Sequence, residues 1–293
     1  MQLNHLKHAD IDFIRWDDCI ENSVGGLPYA MSWYLNIVSP NWEALVSPDY
    51  NYVMPITVNS KFGIKYIVQP AITQQLGIFS RNEIHEDIIR LFSSKIPYLS
   101  YQINLNENNI IAEMHPQSNY TLTLNKSYSQ IQQAYSKNCA RNICKANKYG
   151  LSVEVVTDSA EMIQFLVDNT TEKNESILEN FRQIVSLGQL ENKTQNIGVR
   201  NADGDLIAAV CFLISSKRWV YLLAVSNEEG KTKSAMFALV DYAIQKNVES
   251  ELILDFEGSE IEGVARFYKG FGAVNRPYYV IKKFRPAFLV GKI

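Results

Sequence analysis

Apolar residues recur along this chain in two rhythms. Short runs alternate or are wholly apolar, as strands require, and longer stretches repeat every three to four residues, as helices require. In the first half, residues 11–16, 42–46, 52–58, 63–68, 98–105 and 120–124 read as strands, with a Ser-Pro-Asp-Tyr-Asn turn at 47–51. Helices are expected at 32–37 and from Asn82, where Ile84, Ile88, Ile89 and Leu91 make an apolar face. The second half opens with a helix over 129–149, stopped by Gly150, and a strand over 151–156. A helix after Ser159, another near 177–186 and a strand at 197–200 follow. An Asn-Ala-Asp-Gly-Asp turn leads to a hairpin of 206–214 and 219–225. A helix over 232–247, a strand from Leu252, a further helix and a strand at 278–283 complete the pattern. Each half shows strand, Asp-containing turn, strand, loop and helix, which hints at a duplicated α/β fold with a boundary near 124–130.

Composition narrows the function. The chain has 293 residues, 46% of them hydrophobic, which is core enough for two domains. A net charge of −3 excludes a chain-wide basic field for nucleic acid, though not a local one. No apolar run is long enough to span a bilayer and the N-terminus has no signal-like core, so a cytoplasmic protein with no transmembrane segment is expected. Cys19, Cys139, Cys144 and Cys211 form no CxxC pair and have no histidine at metal-ligand spacing, so reduced thiols and no metal are expected. The four histidines all precede residue 116. Chemistry in the second half must therefore use Glu, Asp, Tyr, Lys or Cys.

Four stretches carry candidate chemistry. The loop VSNEEGKTKSA (225–235) joins a buried strand to a helix, and such a helix start suits a pyrophosphate. Gly230 would permit its tight backbone, with Lys231 and Lys233 screening charge against the opposing Glu228 and Glu229. The plain alternative is a strand-to-helix loop. The segment LILDFEGSEIEGVARFYKGFGA (252–273) places Asp255, Glu257 and Ser259 at a strand's carboxyl end, where open α/β sheets bind ligands. Glu257 or Asp255 is a candidate base and Tyr268 a candidate acid, while Phe267 and Phe271 read as core. Lys137, Arg141, Lys145 and Lys148 recur at helical spacing, as a solvated face or a phosphate clamp. Gln69, Gln74 and Gln75, with Trp33 and Tyr34 upstream, form a candidate hydrogen-bonding pocket or ordinary surface.

By these residues the second half resembles the GNAT acyltransferases, whose closing motif GVARFYKGFGA matches. The resemblance implies that Tyr268 protonates a departing coenzyme A thiolate. It also implies that 227–232 binds pyrophosphate, with Gly230 matching that signature and Asn227 and Thr232 departing from it. The whole chain resembles the tandem-domain FemABX-like branch through SKNCARNICKANKYG, LDFEGS with FYKGFG, and QQLGIFS. That resemblance implies two tandem GNAT-like domains, each a mixed β-sheet flanked by helices. The first, 1–126, would be degenerate and serve the acceptor; the second, 127–293, would serve the donor. Many Fem members carry Lys where this chain has Tyr268, and this favours acetyl-CoA or another acyl-CoA as co-substrate.

The expected reaction is N-acyl transfer to an amine acceptor, a small molecule or a precursor. The acceptor would lie between the domains near Gln74, Gln75, Trp33 and Glu257, with a backbone N–H at Ala224 or Val225 polarising the carbonyl. Arg141 and Lys145 would hold phosphates, and Ser259 and Gln69 would line the acceptor site. The alternatives are an aminoacyl-tRNA-dependent transferase acting on a cell-wall or lipid-linked precursor, and a binding protein on a degenerate scaffold. Oligomeric state stays open.

Overall fold

The computed structural model describes residues 1–111, 114, 116–259 and 261–284; His115 and Glu260 lie outside the described residues. The chain divides into two compact units, Met1–Ser118 with the segment from Arg276, and Asn119–Asn275.

The first unit runs Asn4–Leu6 (β1), Phe13–Asn22 (α1), Ser32–Val38 (α2), Glu43–Val46 (β2), Tyr52–Ile56 (β3), Val58–Lys61 (β4), Ile64–Ile67 (β5), Phe79–Ser80 (β6), Glu86–Ser94 (α3), Tyr101–Asn104 (β7) and Pro116–Gln117 (β8). Strands β1-β2-β3-β6 form one sheet. Strands β4-β5-β7, the strand Tyr278–Lys283 and β8 form a second. The expected strand at 11–16 is instead the start of α1. Asp12 caps it by accepting the Arg15 N–H at 3.1 Å, and Trp16, Cys19 and Ile20 are buried at helical spacing. The expected single strand at 52–58 breaks at Thr57, which donates to the Val68 carbonyl at 2.7 Å, and its two parts enter different sheets.

The second unit runs Tyr120–Thr123 (β9), Tyr128–Gln133 (α4), Lys137–Lys148 (α5), Ser152–Val155 (β10), Ser159–Asn169 (α6), Glu175–Leu190 (α7), Thr194–Arg200 (β11), Leu206–Ile214 (β12), Arg218–Ser226 (β13), Glu228–Thr232 (α8), Ala235–Asn247 (α9), Ile253–Asp255 (β14), Glu262–Gly270 (α10) and Val274–Asn275 (β15). Its sheet has the order β10-β11-β12-β13-β14-β9-β15, antiparallel except where β13 and β14 run parallel. The expected helix at 129–149 is two helices, because Ser136 starts a new one by accepting the Cys139 N–H at 3.1 Å. Phe212, Tyr221, Phe256, Tyr268 and Phe271 belong to the core of this unit. The strand expected at 120–124 lies in this second unit, and the strand at 278–283 belongs to the first. Both placements follow from long-range pairing, β9 with β14 and Tyr278–Lys283 with β7.

Candidate functional site

The site begins where two parallel strands part. β13 pairs with β14 only from Arg218 to Val220. Beyond Asp255 the chain follows β9 instead, with Phe256 donating to the Tyr120 carbonyl at 2.9 Å and Tyr120 donating to that of Glu257 at 3.0 Å. β13 runs on to Ser226 with that edge unpaired among the described residues. A bulge at Leu222, where the register with β12 shifts, bends the strand at the same place. The Asn227 N–H donates to the Ile207 carbonyl at 3.1 Å. By antiparallel alternation the N–H groups of Ala224 and Ser226 therefore point away from β12, toward the opened side. Ala224 is exposed there.

A cavity of about 720 Å³ lies along this edge, lined by β13, the α8–α9 junction and α10. The volume is within the range of small-molecule sites, roughly 300–1,000 Å³. Two tyrosines meet in it: Tyr221 from β13 and Tyr268 from α10, with ring centroids 6.0 Å apart. Tyr268 stacks on Phe256 at 5.0 Å, so core packing fixes its ring while its hydroxyl has no hydrogen-bond partner among the described residues. Burial, and next the charges of Glu257 and Asp255, raise its pKa above the usual tyrosine value. Burial, and next the nearby Tyr268, raises that of Tyr221 as well. Both hydroxyls therefore stay protonated at neutral pH. Tyr221 escaped the sequence reading because it sits in an apolar strand and looks like core. Phe271 is fully buried as expected, whereas Phe267 also lines the cavity.

The opposite wall is the loop read as a pyrophosphate site. It is a short helix rather than a bare loop. Asn227 caps α8 by accepting the Gly230 N–H at 2.8 Å, so that N–H is occupied. Gly230 is required by close approach: a Cβ there would lie 2.2 Å from the Ile207 carbonyl oxygen. Lys231 and Lys233 bond Glu228 and Glu229, each at 2.6 Å, which neutralises the acidic pair. Thr232 is exposed and ends α8. Ser234 starts α9 in a left-handed conformation with φ 61°, and its hydroxyl donates to Asn142 of α5 at 2.9 Å. At the start of α9 the Phe237 N–H bonds the Ser234 carbonyl at 3.1 Å, and among the described residues no backbone partner takes those of Ala235 and Met236.

The carboxylates differ in availability. Asp255 is 1% exposed, ion-paired with Arg218 at 2.5 Å, and accepts the Glu257 N–H at 2.9 Å. These bonds give it a structural task and argue against its use as a base. Glu257 is half-buried with φ 62°, and its charge reaches Tyr268. Ser259 accepts the Ile261 N–H at 3.0 Å at the entry to α10. On α5, Lys137, Arg141, Lys145 and Lys148 are all exposed, and none is ion-paired with a carboxylate among the described residues. Among the described residues Arg141 bonds only Asn138, at 2.7 Å.

In the first unit the candidate acceptor residues mostly hold their own loop. Gln69 donates to the Thr73 carbonyl at 2.9 Å and accepts the Asn104 N–H at 3.1 Å. Gln75 is fully buried and donates to Gln74 at 2.7 Å. Tyr34 is fully buried and donates to the Ile72 carbonyl. Trp33 packs edge-on to Tyr34 at 5.7 Å and keeps a partly exposed face.

No family model and no curated protein sequence matches the chain. Solved structures do. FemX superposes with a TM-score of 0.71 at 11% identity, over 99% of this chain and 100% of that one. The C-terminal domain of a putative lysylphosphatidylglycerol synthetase from Agrobacterium fabrum gives 0.61 at 12%, over 93% and 92%. A tandem GNAT protein from the clavulanic acid biosynthesis pathway gives 0.54 at 9%, over 96% and 98%. The chain thus has a tandem GNAT-type α/β fold. Within that class it is FemABX-like in fold.

Proposed function

We propose that this protein is an N-acyltransferase that takes an acyl group from an acyl-CoA, most simply acetyl-CoA, and passes it to an amine. The observation that carries this reading is the edge of β13, unpaired among the described residues, facing a protonated Tyr268 with no hydrogen-bond partner among them across one cavity. An extended amide-bearing arm can pair with the Ala224 and Ser226 backbone, as a strand pairs with a sheet edge. The fit to the thioester arm is good. The fit to the diphosphate rests on the α9 start and Ser234, since the Gly230 N–H is taken and both loop lysines are paired.

The amine nitrogen attacks the thioester carbonyl, forming the C–N bond. The Ala224 N–H, on the open edge, stabilises the oxyanion, a contribution worth about 3–4 kcal/mol at a well-placed donor. Val225, opposite Ala209 in the register, turns its N–H to β12 and is not available for this role. The C–S bond then breaks and the thiolate receives a proton from the Tyr268 hydroxyl. The ammonium proton leaves to Glu257 through water, which returns a proton to Tyr268. Glu257 serves here rather than Asp255 because Asp255 is locked to Arg218.

A thermal-shift titration with acetyl-CoA and free coenzyme A tests the reading, since a ligand selective for the native state raises the melting temperature. Gly263→Trp is the blocking variant: Gly263 lines the cavity, and a Cβ there meets nothing within 4 Å. Expected is a concentration-dependent shift that this variant loses while melting normally by itself. No shift at millimolar ligand overturns the acyl-CoA reading.

The exposed row Lys137, Arg141, Lys145 and Lys148 favours a second reading, an aminoacyl-tRNA donor acting on a cell-wall or lipid-linked precursor. Its signature is salt-sensitive tRNA binding that Arg141→Gln with Lys145→Gln weakens, each lost phosphate contact flattening the salt slope by roughly one.

A further inference from the structure

The β4–β5 hairpin of the first unit carries features that acyl transfer does not use. Lys61 pairs with Ile64, so Phe62 and Gly63 form a two-residue loop. Both have positive φ, 53° and 77°, the turn geometry that favours Asn-Gly. A phenylalanine in this left-handed conformation is strained. Burial does not offset the strain, because Phe62 is 90% exposed and Ile64 beside it 43%. Lys61 and Lys65 flank the tip, and residues 58–67 contain no Asp or Glu.

Behind the tip, the cross-strand pair Ser60 and Lys65 lines an open cavity of about 550 Å³ together with Lys7, Asn41 and Glu43. Glu43 is 4% exposed and accepts from Lys7 at 2.7 Å and from Tyr98 at 2.9 Å, with His5 at 2.5 Å. Lys65 lies 3.9 Å from the same carboxylate. Two lysines thus share one buried negative charge, leaving the cavity wall net positive, and both lysine side chains are more than half exposed.

An apolar tip above a basic wall matches an anionic bilayer in charge and in layering: apolar side chains enter the headgroup–acyl boundary while lysines meet phosphates. A protein partner fits less well, since a stable interface covers about 800 Å² per partner and this tip offers two apolar side chains. We propose that the β4–β5 hairpin is a peripheral membrane contact, in which Phe62 and Ile64 insert into an anionic lipid surface and Lys61, Lys65 and Lys7 bind its headgroup phosphates. This stands independently of the acyl-transfer reading.

The test is co-sedimentation of the full chain with vesicles of mixed phosphatidylglycerol and phosphatidylcholine, against phosphatidylcholine alone. Expected is binding to the anionic vesicles only, lost at salt on the order of 0.5 M, where charge attraction is screened within a few ångströms. Phe62→Asn is the decisive variant. Asn accepts the left-handed turn position, so the melting temperature holds or rises. Partitioning onto anionic vesicles falls about tenfold. Unchanged partitioning of this variant overturns the proposal, as does absence of binding to anionic vesicles by the native chain. Concentration-dependent self-association that Phe62→Asn abolishes, with vesicle binding untouched, assigns the tip to a second copy instead and equally overturns it.

Discussion

Tyr268 and Tyr221 share a cavity, yet only one was readable in the sequence. Tyr268 stands in a helix next to glycines, where a polar aromatic calls for explanation. Tyr221 stands in an apolar strand, and only the bulge at Leu222 and the parting of β13 from β14 turn it toward open space. Their roles are separable by substitution. Tyr268→Phe keeps the ring packed on Phe256, so stability should hold while kcat for acyl transfer falls about 10²- to 10³-fold with the donor Kd nearly unchanged. Tyr221→Phe should cost far less in kcat. The comparison is steady-state turnover with donor affinity measured by titration; equal losses for the two variants would remove Tyr268 from the role of acid. Because burial and the neighbouring carboxylates hold the Tyr268 proton tightly, its ionisation should not limit turnover below about pH 10, the ordinary tyrosine value.

The elements around the site were legible where a local rhythm defines them. The hairpin β12–β13, the helix before Gly270 and the strand before Glu257 all lie close to where the apolar pattern puts them. The pattern failed where side-chain capping decides. Asp12 converts an expected strand into α1, Ser136 cuts one helix into α4 and α5, and Asn227 converts an expected phosphate loop into α8. Gly230 reads in the sequence as permitting a tight backbone, and the structure gives the close approach behind it, the Ile207 carbonyl oxygen 2.2 Å from where a Cβ would stand. Gly230→Ala should therefore destabilise the second unit by about 1–3 kcal/mol through overpacking, read as a lower denaturant midpoint. Asp255 makes the opposite point, since it reads as chemistry in the sequence and as scaffold in the structure. Asp255→Asn removes the carboxylate charge that pairs with Arg218, itself 1% exposed, and should cost about 3–5 kcal/mol. A variant that melts like the parent but loses turnover would return Asp255 to the list of bases.

Pairings between distant segments were invisible in the sequence, since no local rhythm reveals that Tyr278–Lys283 pairs with β7 or that β9 joins β14. The same long-range packing sets how the molecule responds to alkali. In the second unit Tyr128 and Tyr135 both donate to Asp241, and Tyr221 and Tyr268 are buried in the core. Burial, aided by the Asp241 charge, lifts Tyr128 to about 12 and Tyr135 above it. Burial, joined at Cys139 by the Asp241 charge, lifts Cys139 and Cys211 to about 12. Each folded pKa exceeds its unfolded value, so above about pH 10 the unfolded chain has lost protons that the native chain keeps. Stability from these groups is complete below the unfolded values and is lost as pH rises through the folded ones. The denaturant midpoint should hold to about pH 9 and then fall steeply, with tyrosinate absorbance rising in the same transition as the loss of far-ultraviolet circular dichroism. Tyr135→Phe should lessen the slope of that fall, because one proton fewer separates the two states. A midpoint constant to pH 11, with tyrosinate forming in the folded protein, would mean that these hydroxyls reach water without unfolding, and the cavity around Tyr268 would then be far wetter than its packing on Phe256 indicates.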